Sequence, residues 1–254
     1  MQTVLFHETV FGPIHSRRLG SSLGVNLSPR DGKICSFDCL YCEAGFNAQG
    51  PGTTGFPSRE EVRELLEAKL RSLREDEKPL DVITFSGNGE PTLHPEFAGI
   101  IDDTLALRDR YFPQVKVSVL SNSTQLHRPD VVEALRRVDN NILKIDSAVE
   151  ETMRRLDRPG SVGFTVEKLI PQLAQFGDQG VIQTMFVRGD GVDNTTPAEI
   201  EALLDAYRRI RPREIMIYSI DRKTPDEALR QVPSEELARI ADLISAEGFK
   251  VSHT

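Results

Sequence analysis

The sequence predicts an α/β fold, a parallel sheet curved into an open, partial (β/α)6 barrel. Two observations carry that prediction. Six short β-rich apolar runs recur at residues 23–27, 82–86, 115–120, 142–146, 181–187 and 215–220. Amphipathic stretches separate them, and alternation of strand and helix implies a parallel sheet with right-handed crossovers. Six units fall short of the eight that close a barrel, so the sheet stays open; a doubly wound sheet is the second arrangement. The Gly/Pro/Thr-rich stretch 50–57 reads as a loop and not a linker, so residues 1–254 are expected to form one domain.

The elements follow in order. Residues 1–22 form an N-terminal extension or hairpin turning at Gly12-Pro13. After the first strand and a long loop, residues 58–73 carry Val62, Leu65, Leu66, Leu70 and Leu73 on one helical stripe. Ser58 and Glu61 make a capping box at its start. Asp130 with Glu133 opens a helix before the strand at 142–146. The segment 165–176 is helical in pattern, but Pro171 should kink it or delay its start. Thr196, Pro197 and Glu199 begin a helix whose core face is Ile200, Leu203, Leu204 and Tyr207. Ser234 opens the last helix and Gly248 closes it.

Composition bounds the function. Residues are 39% hydrophobic and 28% charged, as in globular proteins, and the formal net charge is -8. That balance disfavours attraction of nucleic acid over the whole surface and leaves room only for a local basic patch. No apolar run approaches the ~18 residues of a membrane helix. The first residues lack a secretory pattern, and three cysteines do not make a disulfide scaffold. A reducing, cytoplasmic location is the expectation.

Those cysteines lie within eight positions, in Cys35-Ser36-Phe37-Asp38-Cys39-Leu40-Tyr41-Cys42. Three thiolates cannot all pair as disulfides, but they can converge on one metal centre. Iron–sulfur clusters are held by cysteine thiolates, usually four; three would leave one iron of a cubane open for chemistry. The run follows the first strand, at the end where α/β sheets place active sites. A non-catalytic zinc site completed by His15 or His94 is the alternative. Its cysteines would ordinarily be paired as C-x₂-C with a distant second pair, which the x₃-then-x₂ spacing is not.

A second constellation, Ser86-Gly87-Asn88-Gly89-Glu90-Pro91, follows the second strand. Glycines let backbone approach a ligand closely, and a carboxylate accepts hydrogen bonds from an ammonium group. Taken alone, the run also reads as an ordinary glycine-rich turn. Lys144 and Asp146 share one face of their strand, because strand side chains alternate. Charge on a buried strand suggests a polar pocket.

Cys35-x₃-Cys39-x₂-Cys42, with Tyr41 before the last cysteine, resembles the signature of the radical S-adenosylmethionine (radical SAM) superfamily. Gly87-Asn88-Gly89-Glu90-Pro91 resembles its Gly-Gly-Glu-Pro motif, which binds the amino group of S-adenosylmethionine (AdoMet). The resemblance implies that Cys35, Cys39 and Cys42 hold a [4Fe–4S] cluster whose fourth iron AdoMet chelates. Reductive cleavage then yields a 5′-deoxyadenosyl radical. It implies AdoMet contacts from Tyr41, Gly87, Asn88, Gly89, Glu90 and Pro91. By position on later strands it adds Ser121, Asn122, Lys144, Asp146, Gln183 and Tyr218, with Asn122 or Asp146 near the ribose and Tyr218 near adenine. No catalytic residue is named; Tyr41 or Tyr218 are the candidates for returning hydrogen to a substrate radical.

The runs Phe11-Gly12-Pro13-Ile14-His15-Ser16-Arg17-Arg18-Leu19-Gly20, Leu156-Asp157-Arg158-Pro159, Gln183-Thr184-Met185-Phe186-Val187-Arg188-Gly189 and Tyr218-Ser219-Ile220-Asp221-Arg222 are similar to short radical SAM proteins grouped with the wyosine-base synthases. Arg17, Arg18, Arg158, Arg188 and Arg222 are candidates for an anionic substrate, by forked hydrogen bonds. No cysteine is left for an auxiliary cluster. The implied partners are a one-electron donor, flavodoxin or ferredoxin, and a substrate of unknown class. RNA modification is the alternative, which the acidic charge does not favour.

Overall fold

The computed structural model describes residues 4–16, 19–189 and 191–254. In chain order the elements are β1 (Val10–Ser16), β2 (Gly20–Val25), α1 (Arg59–Glu75), β3 (Val82–Phe85), α2 (Phe97–Tyr111), β4 (Lys116–Ser121), α3 (Pro129–Arg137), β5 (Asn140–Lys144), α4 (Glu150–Asp157), α5 (Val166–Ala174), β6 (Gly180–Gly189), β7 (Val192–Asp193), α6 (Pro197–Ile210), β8 (Glu214–Ser219), β9 (Arg230–Gln231), α7 (Ser234–Ala246) and β10 (Val251–His253). The strand order is β1-β2-β3-β4-β5-β6-β8-β10. From β2 to β10 every neighbouring pair is parallel. β1 lies antiparallel on β2, and the short β7 and β9 lie antiparallel on the end of β6. The result is the expected α/β, open, partial barrel.

The six runs read from the sequence are β2, β3, β4, β5, β6 and β8, shifted by a few residues. Burial on both faces explains their unbroken apolar character: all four residues of β3 are buried, as are the first eight of β6. Helices α1, α2, α3, α5, α6 and α7 pack their apolar stripes on the outer face. One continuous core joins Leu66 and Leu70 of α1, Ile100 and Ile101 of α2, Val117 and Val119 of β4, and Leu203 and Tyr207 of α6. Ser58 caps α1 by accepting from Glu61 N–H, and Thr196 caps α6 by accepting from Glu199 N–H.

Four local expectations are corrected. β1 and β2 pair antiparallel as in a hairpin, but the pairing runs past Gly12-Pro13 to Ser16 opposite Gly20, and Gly12-Pro13 sits at a register break inside β1. Helix α3 begins at Pro129, which is suited to a first helical position, and Asp130 lies within its first turn. Helix α5 starts at Val166 on a Thr165 cap and runs through Pro171. A seventh parallel strand, β10, pairs with β8.

Candidate active site

The site is built on the long loop between β2 and α1. Loops of this length without regular structure are uncommon unless functional. Its path is fixed by backbone hydrogen bonds to two other segments. Ile34, just before the first cysteine, bridges Gly89 in parallel, and Glu90 N–H donates to the Ile34 carbonyl at 3.1 Å. On the other side, Leu40 N–H donates to Leu156 O at 3.0 Å and Asp38 N–H to Asp157 O at 3.0 Å. Gly160 N–H donates to Ser36 O at 2.9 Å. The last turn of α4 and the segment after it therefore brace the cysteine loop.

The loop closes over the C-terminal ends of the parallel strands and bounds a cavity of about 320 Å³. Cys35, Cys39 and Cys42 line it, together with Gly87, Gly89, Glu90, Ser121, Asn122, Lys144, Gln183, Tyr41 and Tyr218. Asn88, Pro91 and Asp146 do not. Asn88 is fully buried: its Oδ1 accepts from Phe6 N–H at 2.8 Å, and its Nδ2 donates to the Phe6 and Pro29 carbonyls at 2.8 and 2.9 Å. It ties the N-terminal segment to the site. Pro91 starts the short 3-10 turn Pro91–Leu93. Asp146 accepts from Met185 N–H at 2.9 Å and from the Tyr41 hydroxyl, so it joins β5 to β6 behind the cavity. Tyr41 thus turns its hydroxyl away while its ring faces inward.

Residues that the sequence did not single out complete the lining: Phe37, Glu43, Ser86, Leu120 and Met185. Ser86 and Met185 stand inside runs already notable in the sequence. Their position next to Gly87 and Gln183 is the signal that would have found them.

Each sulfur has a polar neighbour. Asn122 Nδ2 lies 3.5 Å from Cys35 Sγ, and Lys144 Nζ lies 3.0 Å from Cys39 Sγ. Buried Lys33 interacts with Cys42. Burial opposes the charge on Lys33, but Cys42, Cys35 and Cys39 together outweigh it and raise its pKa. Glu90 Oε1 accepts from Thr92 N–H and Ser121 Oγ at 3.1 and 2.8 Å, and its Oε2 accepts from Asn122 N–H at 2.6 Å. Burial raises the Glu90 carboxyl, against hydrogen bonds from Asn122, Thr92 and Ser121 that lower it. Glu90 therefore locks the ends of β3 and β4 together as well as lining the cavity. Among the described residues, no group of three or more His, Cys, Asp and Glu side chains is arranged as the shell of a metal ion. The three thiols line one cavity without forming such a shell. His94 is spent elsewhere, on the Pro57 carbonyl at 2.7 Å and Glu96 N–H at 3.1 Å.

Burial pushes the Cys35 thiol up from 9.0 to about 11, with Glu90 adding to the rise. Unfolded chains ionise this thiol first, so its contribution to stability is present below pH 9 and is lost as pH climbs through about 11. The metal-free protein should accordingly show a falling Tm across pH 9–11. Cys35→Ala should flatten that slope.

Of the five arginines, Arg188 is paired with Asp193 and Glu236, and Arg222 with Glu43 at 2.6 Å. Arg158 stacks over the Phe46 ring at 5.4 Å. Arg17 and Arg18 lie outside the described residues. Arg188 and Arg222 thus already hold carboxylate partners within the chain.

The family model of the radical SAM superfamily matches residues 31–206, from the cysteine loop to α6. The chain belongs to that superfamily. A UPF0026 protein of Helicobacter pylori is 29% identical over 247 residues, 96% of this chain and 75% of that protein. A radical SAM methyltransferase from Sphaerobacter thermophilus superposes with a TM-score of 0.67 at 15% identity, over 92% of this chain and 65% of that one. TYW1 with a lysine-pyruvate adduct bound gives 0.59 at 14%, over 90% and 75%. At such identities the structures speak for the fold. Radical SAM proteins are generally enzymes that use AdoMet, usually with a [4Fe–4S] cluster and an electron donor. No helix among the described residues is long and apolar enough to cross a membrane.

Proposed function

We propose that this radical SAM protein cleaves AdoMet reductively at a [4Fe–4S] cluster held by Cys35, Cys39 and Cys42, and uses the 5′-deoxyadenosyl radical to abstract hydrogen from a substrate. The observation that carries this is the shared cavity: the three cysteines, Gly87, Gly89 and Glu90 line one space at the strand ends. The donor set suits the group. A cubane takes thiolates at separate corners, so it needs cysteines that line one cavity, as these do. Buried Lys33 and Lys144 set ammonium groups beside the Cys42 and Cys39 sulfurs.

Held by Cys35, Cys39 and Cys42, such a cluster would supply the one-electron reduction that splits AdoMet into methionine and a 5′-deoxyadenosyl radical. The protein's own residues do the rest. Glu90 and the Gly87 and Gly89 backbone offer acceptors to the methionyl ammonium. Ser121 and Asn122 offer hydroxyl and amide groups to the polar end of the ligand. Tyr218, Met185 and Phe37 present rings and a thioether, which exclude water and hold the flat base. Excluding water and fixing orientation are the tasks left to protein when the cofactor carries the hard chemistry. The electron comes from a flavodoxin- or ferredoxin-type donor.

The test is anaerobic reconstitution with iron and sulfide. The loaded protein should bind about four irons and four sulfides, absorb near 400 nm, and form 5′-deoxyadenosine from AdoMet with dithionite. A colourless product with stoichiometric zinc would overturn the proposal.

A further inference from the structure

Lys144 lines the cavity, yet its ammonium is already surrounded. Three acceptors lie within 3.1 Å of Nζ: Cys39 Sγ at 3.0 Å, Asp146 Oδ2 at 3.1 Å and Asp157 Oδ1 at 2.6 Å. Cys39 Sγ is reached by a hydrogen bond, and the two carboxylates hold the ammonium as ion pairs. The rings of Phe37 and Tyr41 each stand 4.9 Å from Nζ. Asp146 is itself pinned by Tyr41 and by Met185 N–H. Asp157 is pinned because its own backbone carbonyl holds Asp38, inside the cysteine loop. The Leu156-Asp157-Arg158-Pro159 run thus does two jobs at once. Its backbone braces the loop, and its carboxylate holds a cation against one sulfur.

We infer that Lys144, aimed by Asp146 and Asp157, is a positioning residue that sets the reduction potential of the cluster through its hydrogen bond to the Cys39 thiolate. The inference rests on the cluster assignment above. Reduction adds one electron, from dithionite or a flavodoxin-class donor, to a centre whose ligands are anionic. A cation and donor on a ligating sulfur makes that addition more favourable, as hydrogen bonds to sulfur do in iron–sulfur proteins generally. The remaining two sulfurs face different neighbours, Asn122 and Lys33, so Cys39 is the ligand on which Lys144 acts.

The experiment is a redox titration of the reconstituted protein without AdoMet, followed by electron paramagnetic resonance, on wild type and Lys144→Met. The expected result is unchanged iron content with a more negative midpoint, of about tenfold in electron affinity, or 59 mV for one electron. Lys144→Arg, which keeps the charge and donor, should bring the midpoint back toward wild type. Lys144→Met strands the buried carboxylates of Asp146 and Asp157 and could unfold, so Lys144→Met with Asp157→Asn keeps the formal charge of the trio unchanged, and a negative shift is expected there from the lost sulfur hydrogen bond alone. An unchanged midpoint at full iron content overturns the inference while leaving the cluster assignment intact. So does an unchanged midpoint with weakened AdoMet binding, which would make Lys144 a ligand contact. Wild-type protein that takes up no cluster overturns both.

Discussion

Cys39→Ala should reduce 5′-deoxyadenosine formation to background and leave the reconstituted protein with only a trace of bound iron. Removing a partner one step outside a metal site costs about 10–100-fold in affinity, and removing a direct ligand costs more. Of the three cysteines, Cys39 is the most telling choice. It is buried, at 8% exposure. Burial holds its thiol well above the ordinary range, with Lys144 opposing and Asp157 adding to the rise. In the metal-free protein it is therefore a small neutral side chain, and its truncation should change stability by only about 1 kcal/mol. The variant is expected to stay folded, with a Tm within a few degrees of metal-free wild type and a clear loss of chromophore. That separation of folding from loading is the decisive measurement. Retention of 5′-deoxyadenosine formation in the folded variant would remove the cluster from Cys39, and with it the proposed chemistry.

The barrel was legible because its strands are buried on both faces and therefore read as unbroken apolar runs. Val82–Phe85 is the clearest example, with four buried residues. The exception is Val251–His253, three partly or fully exposed residues at the sheet edge. A strand that short, carrying Ser252 and His253, has no periodicity to detect. The hairpin turn was misplaced for a different reason. Gly12-Pro13 has turn chemistry, but in β1 the same residues make a register break, and local sequence does not distinguish the two.

The site was legible where chemistry and spacing coincide, and less so where contacts are long-range. The cysteines and Glu90 belong to compact runs, and the structure brings them to one cavity. Asn88 shares such a run but faces backward onto Phe6 and Pro29, 82 and 59 residues away in sequence. Nothing in a linear motif says which of its side chains point at a ligand. The Lys144–Cys39 contact spans 105 residues, so its existence depends on the barrel bringing β5 beneath the loop. Lys144 and Asp146 stood out as charge on a buried strand, whereas Asp157, the third member, figured only inside the Leu156-Asp157-Arg158-Pro159 run, with no role of its own.

Gly89→Ala should destabilise the metal-free protein strongly, which separates two explanations for the glycines of this motif. In the first, glycine is there so that backbone can approach AdoMet. The variant would then keep its stability and lose only ligand affinity. The geometry argues for the second. A Cβ at Gly89 would sit 1.8 Å from the Ile34 carbonyl oxygen and 2.6 Å from its carbon. Both are backbone atoms of the bridge that carries the first cysteine, so no side-chain rotation relieves the clash. Overpacking in a core costs about 1–3 kcal/mol, and a collision with fixed backbone belongs at or above the top of that range. For a chain of this size about 3 kcal/mol corresponds to a fall in Tm of roughly 6–12 °C. The bridge must open to make room, which moves Cys35 away from Asn122 and should also impair iron loading. Gly163→Ala is the control, because its Cβ would meet only Ser161 Oγ, at 3.6 Å. Calorimetry of the metal-free proteins decides the matter. A Gly89→Ala protein that melts with wild type but binds AdoMet poorly would return the motif to its ligand-contact role and leave the Ile34–Gly89 bridge without structural weight.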